Sequence, residues 1–274
     1  MPPIVPAGIL DELGPEVVLA DVRWYLDGRS GRAAYESGHL PGAVFVDLDA
    51  WLAQPASCAL GRHPLPAPEV FAEGMSQLGI ADESTVVAYD DAGGVIAARL
   101  VWMLRALERR AALLDVGLAA YPGQLETRSA PRPRATFTPR PWPADRLAGI
   151  DAAADPANVV LDARDRSRYR GDEEPVDPRP GHIPGARSLP CREHLDADLR
   201  LLPVDELRRR FTAAGAGADT PVVSYCGSGV TACHTLLALE HAGFAPGRLY
   251  AGSYSQYSHA RHRPVAVGDA PGFA

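Results

Sequence analysis

Short apolar runs rich in β-branched residues punctuate the chain at Val17-Val18-Leu19, Val86-Val87-Ala88, Val159-Val160-Leu161 and Val222-Val223-Ser224, each bounded by turn residues. Runs this short, with no polar alternation, predict strands buried on both faces. Stretches of helical period separate them, clearest at 97–110 and 231–242, with 69–78 and 203–213 preceding those. Strands alternating with helices predict an α/β fold built on a mostly parallel sheet flanked by helices.

The pattern occurs twice. At an offset of roughly 140 residues, too long for the stacked units of a solenoid, Leu19-Ala20-Asp21-Val22-Arg23 answers Leu161-Asp162-Ala163-Arg164, and His39-Leu40-Pro41-Gly42-Ala43 answers His182-Ile183-Pro184-Gly185-Ala186. Val86-Val87-Ala88-Tyr89-Asp90 then answers Val222-Val223-Ser224-Tyr225-Cys226, and Leu114-Asp115-Val116-Gly117 answers Leu249-Tyr250-Ala251-Gly252. The order is kept, as a duplicated domain requires. Between the copies, Thr127 to Pro143 is crowded with proline and arginine, which removes backbone donors and prevents a helix or a central strand. The expected organisation is a first domain over 1–126, a linker over 127–145 and a second domain over 146–274.

A length of 274 residues accommodates two cores, and 46% hydrophobic with 22% charged residues is the balance of a folded chain. The net charge of −7 argues against nucleic acid as a partner, because no basic excess exists to displace counterions from phosphates. Lysine is absent, so all 27 basic residues are arginine. No apolar run approaches the ~20 residues that span a bilayer, and Met1-Pro2-Pro3-Ile4 lacks the features of a signal peptide. No membrane partner is expected, and the cytoplasm is the expected location. Four cysteines (Cys58, Cys191, Cys226, Cys233) are too sparse for a disulfide scaffold and lack zinc-site spacing, so no metal is expected.

Chemistry concentrates in the second copy, where the strand ending at Tyr225 runs into Cys226-Gly227-Ser228-Gly229-Val230-Thr231 and a helix follows at once. The first turn of a helix presents unpartnered N–H groups and a positive dipole end. Glycines at 227 and 229 let the backbone curl with its N–H groups inward, forming an anion nest. A cysteine there is favoured as a thiolate and becomes a nucleophile at neutral pH. The first copy has Asp90-Asp91-Ala92-Gly93-Gly94 at the matching place. A carboxylate in the nest is solvated by backbone N–H groups but cannot replace a thiolate nucleophile, so only the second domain is expected to be catalytic.

The string Cys226-Gly227-Ser228-Gly229-Val230-Thr231-Ala232, with the preceding strand and the His182-Ile183-Pro184-Gly185-Ala186 element, resembles the active-site loop of the two-domain rhodanese family, and its Cys-Gly-Ser-Gly form is most similar to the 3-mercaptopyruvate sulfurtransferases. The likeness runs from about Val17 to about Ala260 and implies two tandem rhodanese-like domains. It also implies sulfur transfer from a small-molecule donor through a Cys226 persulfide, with pyruvate released from 3-mercaptopyruvate. The acceptor would be a thiol such as thioredoxin or glutathione, or cyanide, and no cofactor is needed. The resemblance further supplies a proton relay of Ser228 with His63 and Asp49 reaching over from the first domain, and a donor-binding set of Gly227, Gly229, Val230, Thr231 and Arg168. A second family arginine is expected before His182, where Val176 stands near its place; Arg179 either substitutes for it or is a solvated loop charge.

Thiosulfate, a dianion, benefits from cationic side chains in the loop, and Gly227 and Ser228 supply none. Mercaptopyruvate, with one carboxylate and a carbon leaving group that needs a proton, fits better; thiosulfate with cyanide is the alternative, and a non-enzymatic sulfur-carrying module the next. A cysteine phosphatase requires an arginine closing the loop, where this chain has Ala232. His39 and His182 occur in both copies and are expected to fix a turn. Cys233, on the helix, is expected to pack, while Cys58 and Cys191 read as ordinary thiols and Arg208-Arg209-Arg210 as a solvated helix face.

Overall fold

The computed structural model describes residues 1–11, 14, 17–115, 118, 121–128 and 131–272 and divides into two compact units. Unit 1 comprises Met1–Gln54, Leu65–Trp142 and Asp196–Leu201; unit 2 comprises Pro55–Pro64, Pro143–Leu195 and Leu202–Ala274. Of the repeat segments, Val116 and Gly117 lie outside the described residues, as do Ser129 and Ala130 of the expected linker.

Unit 1 is a five-stranded sheet in the order β1 (Ile4–Pro6), β5 (Arg110–Asp115), β4 (Thr85–Tyr89), β2 (Val17–Asp21), β3 (Val44–Phe45), with every described pairing parallel. Helices α1 (Gly31–Ser37), α2 (Pro68–Gln77) and α3 (Ala98–Ala106) flank it. Unit 2 repeats the plan with a four-stranded parallel sheet, β7 (Arg187–Ser188), β6 (Val159–Asp162), β8 (Val222–Tyr225), β9 (Arg248–Leu249). Its helices are α4 (Arg166–Arg170), α5 (Val204–Ala213), α6 (Ala232–His241) and α7 (Ser253–Tyr257).

The four apolar runs became β2, β4, β6 and β8, the central strands. Every residue of β8 is buried, as the absence of polar alternation predicted, whereas Val17 and Leu19 of β2 are only partly buried. One expected helix is shorter than its pattern. The run 97–110 ends at Ala106 because Glu108 takes a left-handed conformation (φ 60°), and Arg110 already opens β5. The proline- and arginine-rich stretch counts with unit 1 as far as Trp142. Its backbone donors find partners there, Ala135 N–H on the Ser76 carbonyl and Phe137 N–H on Ser76 Oγ, while the Trp142 indole donates to the Pro66 carbonyl.

The duplication extends to individual bonds. Arg23 pairs with Asp21 and donates to the Gly38 carbonyl, just as Arg164 pairs with Asp162 and donates to the Gly181 carbonyl. These ion pairs are buried, and the carbonyl gives the guanidinium a further acceptor, which a buried charge pair requires. His39 stacks on Tyr35 at 3.8 Å and donates from Nδ1 to the Tyr35 carbonyl; His182 does the same with Tyr169 at 3.7 Å. Both histidines therefore lock a turn in a protein core, as expected from their presence in both copies. The hydroxyls of Tyr89 and Tyr225, the last residues of β4 and β8, accept from the N–H of the residue after each histidine, Leu40 and Ile183.

Candidate active site

Cys226 follows β8 directly and is 2% exposed. The carboxyl ends of parallel strands are where the chain turns into helix N-termini, so a side chain there meets unpartnered N–H groups. The loop is clamped from below by α7: Tyr254 N–H donates to the Cys226 carbonyl, Ser255 N–H to the Gly227 carbonyl, and Cys226 N–H to Ser253 Oγ. In a trans peptide the N–H opposes the carbonyl, and no cis bond occurs among the described residues. Tying the Cys226 and Gly227 carbonyls to α7 therefore turns the N–H groups of Gly227 and Ser228 away from it. Gly229 N–H donates to Cys226 Sγ at 3.1 Å.

The two glycines serve different ends. Gly229 has φ +82°, and a Cβ on it would lie 2.5 Å from the Ala251 carbonyl oxygen. Gly227 is needed for space, because a Cβ there would come 2.9 Å from Arg62 Nη2 and 3.4 Å from Arg168 Nη1. Two guanidiniums thus border the residue after Cys226. Val230 and Thr231 complete the turn: their carbonyls accept from Cys233 and His234 N–H as α6 begins, and the buried Cys191 thiol belongs to the same unit. Burial pushes that thiol up to about 12, so it is a poor nucleophile at neutral pH. Cys233 Sγ is buried and donates to the Gly229 carbonyl, which makes it a packed thiol of α6.

The first copy shows the same kind of loop with an anion in it. Asp90 Oδ1 accepts from Ala92 and Gly94 N–H, and Oδ2 from Ile96 and Ala97 N–H, at 2.7–2.9 Å. Complete burial raises this carboxyl's pKa, and the four donors oppose that rise. Four converging peptide N–H groups are what an anion nest is.

Segment Pro55–Pro64 belongs to unit 2 although it comes from the first sequence repeat, so His63 shares a compact unit with Cys226. Three contacts to α7 or the residue before it hold the segment. Arg62 N–H donates to Ser255 Oγ, the Gln256 side chain donates to the Ala59 carbonyl, and Gly61 (φ +93°) approaches the Gly252 carbonyl too closely for any Cβ. His63 is 8% exposed, and its Nδ1 lies 2.8 Å from Ser228 Oγ. Asp49 lies in unit 1, on the turn Leu48–Leu52, where Oδ2 accepts from the Trp24 indole at 3.1 Å.

Of the two arginines expected at the donor site, Arg168 borders the Cys226 loop and Arg179 does not. Arg168 Nη2 reaches Asp177 Oδ2 at 3.0 Å and Glu174 Oε1 at 2.6 Å, and its Nη1 borders Gly227. Arg179 sits elsewhere: its guanidinium donates to the carbonyls of Tyr257, Ser258, Ala260 and Arg263. It caps the end of α7 and the turn beyond, so it is neither the solvated charge nor the donor clamp that the sequence left open. The residue that does stand beside Arg168 is Arg62, whose Nη1 pairs with Asp177 Oδ1. Sequence reasoning missed it, because nothing in the string Gly61-Arg62-His63 announces that it docks against residues more than a hundred positions away.

A rhodanese-like domain model matches the chain twice, over residues 9–123 and 146–260. A probable 3-mercaptopyruvate sulfurtransferase of Pseudomonas aeruginosa is 42% identical over 270 residues, covering 93% of this chain and 94% of that protein. A putative thiosulfate sulfurtransferase of Mycobacterium tuberculosis is 37% identical over 272 residues, covering 96% and 95%. Among solved structures, the 3-mercaptopyruvate sulfurtransferase of Leishmania major superposes with a TM-score of 0.83 at 32% identity, over 95% of this chain and 75% of that one.

Proposed function

This chain belongs to the rhodanese-like family of sulfurtransferases in its two-domain form, and on that premise we propose that it carries the sulfur of 3-mercaptopyruvate through a persulfide on Cys226. The Cys226 thiolate attacks the sulfur of the donor, forming an S–S bond as the C–S bond breaks. The electron pair of the broken bond passes to carbon as the enolate of pyruvate, which takes one proton to leave as pyruvate. An acceptor thiolate or cyanide then attacks the outer sulfur, and the Cys226 thiolate is restored. Ser228 and His63, held together within unit 2, deliver the proton.

The observation that supports this best is the Gly229 N–H on Cys226 Sγ in a loop whose counterpart holds the Asp90 carboxylate with four N–H groups. Such a loop stabilises the attacking thiolate and an anionic persulfide alike. The peptide N–H groups of Gly227, Gly229, Val230 and Thr231 and the guanidinium of Arg168 receive the donor. Thiols of the cytoplasm, small or carried on a protein such as thioredoxin, are the acceptors in this reading.

Intact mass after adding 3-mercaptopyruvate is the test. One extra sulfur is expected on the wild-type chain and none on Cys226→Ser; a gain of sulfur by that variant would overturn the mechanism. Thiosulfate is the second reading, favoured by the likeness to the mycobacterial relative and by two guanidiniums at Gly227. Comparing kcat/KM for the two donors decides between them, with mercaptopyruvate expected to be the better substrate.

A further inference from the structure

We propose that Arg62, aligned by Asp177, is the second carboxylate-binding residue of the donor site, and that Asp177 tunes the site to a donor with a single negative charge; this rests on the reading of the donor as an α-keto acid thiol. Asp177, its side chain 1% exposed, bridges two guanidiniums: Oδ1 accepts from Arg62 Nη1 and Oδ2 from Arg168 Nη2. Glu174 takes the other edge of Arg168, at Nε and Nη2, and also receives the N–H groups of Val176 and Asp177. Both forks are thereby fixed in orientation, with Arg168 Nη1 and Arg62 Nη2 left bordering Gly227, one residue from the nucleophile. The Arg62 Nε–H is enclosed without a protein partner among the described residues. Donors on two planar guanidiniums converging at one place are the arrangement that receives a carboxylate through both oxygens.

The charges around this place balance. Arg62, Arg164 and Arg168 face Asp162, Glu174 and Asp177 through direct ion pairs. A fork without excess positive charge beside a thiolate favours a monoanion such as the mercaptopyruvate carboxylate, whereas a dianion brings a second charge that meets no further cation. Removing the Asp177 charge leaves the same two guanidiniums one unit more positive and improves the relative binding of a dianion.

The experiment compares 3-mercaptopyruvate with mercaptoacetone, which keeps the carbonyl and thiol but lacks the carboxylate, on wild type, Arg62→Leu, Arg62→Lys and Asp177→Asn. For Arg62→Leu, kcat/KM with mercaptopyruvate is expected to fall about 10- to 100-fold, chiefly through KM, while the mercaptoacetone value stays within about twofold. Arg62→Lys should recover part of the loss, because it restores charge without the fork. Asp177→Asn should raise the thiosulfate-to-mercaptopyruvate ratio of kcat/KM several-fold. An equal loss with both thiol donors in Arg62→Leu would show a purely structural role, and an unchanged KM or an unchanged Asp177→Asn ratio would also overturn the assignment. If wild type takes no sulfur from mercaptopyruvate at all, it is the proposed function that fails, a result distinct from either of these.

Discussion

His63 Nδ1 lies 2.8 Å from Ser228 Oγ, two residues beyond Cys226, within a single compact unit. A hydroxyl held by an imidazole is a short proton wire, and in the proposed reaction it supplies the proton that the pyruvate enolate takes up. Ser228→Ala and His63→Gln are each expected to lower kcat with mercaptopyruvate by about 100-fold, in the range of general acid catalysis. The double variant should lose little more than either single one, because the two act as a unit. Steady-state kinetics on the three variants checks this; additive losses would show that the two side chains work separately.

Arg179 offers the opposite test. Four carbonyls around the end of α7 lose their donor in Arg179→Leu, and buried acceptors without partners cost about 1–3 kcal/mol each when water cannot replace the bond. A fall in Tm of several degrees is expected, measured by calorimetry. KM for mercaptopyruvate should stay near the wild-type value below the melting range, whereas a donor-binding arginine would raise it.

A third expectation concerns acid. His194 and His234 are fully buried, their rings stack at 5.9 Å, and none of their ring nitrogens has a partner among the described residues. Burial holds His194 well below the ordinary histidine value, with His234 and Arg210 adding repulsion, and burial with Arg192 pushes His234 down to about 4. Below a pH of about 6.5 the unfolded chain binds protons that the folded one refuses. The stability held at neutral pH is therefore lost progressively as pH falls from about 6.5 toward about 4, by about 3 kcal/mol from His234 alone. Urea unfolding at pH 7 and pH 5 should show this slope in wild type and a shallower one in His234→Leu; identical slopes would refute it.

The central strands and the Cys226 loop were legible in the sequence because their signals are local: unbroken apolar runs, then cysteine and glycines before a helical period. The short outer strands were not. β3, β7 and β9 have two residues each, too few to show any period, and they exist because a neighbouring strand offers its free edge. Arg62 escaped notice for a related reason, since its meaning comes from Asp177 and Gly227, which only the fold brings to it. Arg179 was read by its nearness in sequence to a family position, yet its carbonyl partners lie some eighty residues onward.

The Asp90 loop has a consequence for stoichiometry. A cradle filled by a side chain of its own strand end has no room for an exogenous anion, and its occupant has no sulfur to exchange. However alike the two halves are in architecture, the proposed reaction gives sulfur to Cys226 alone, so the expected capacity is one mobile sulfur per polypeptide, and titration with excess donor should level off at a single equivalent.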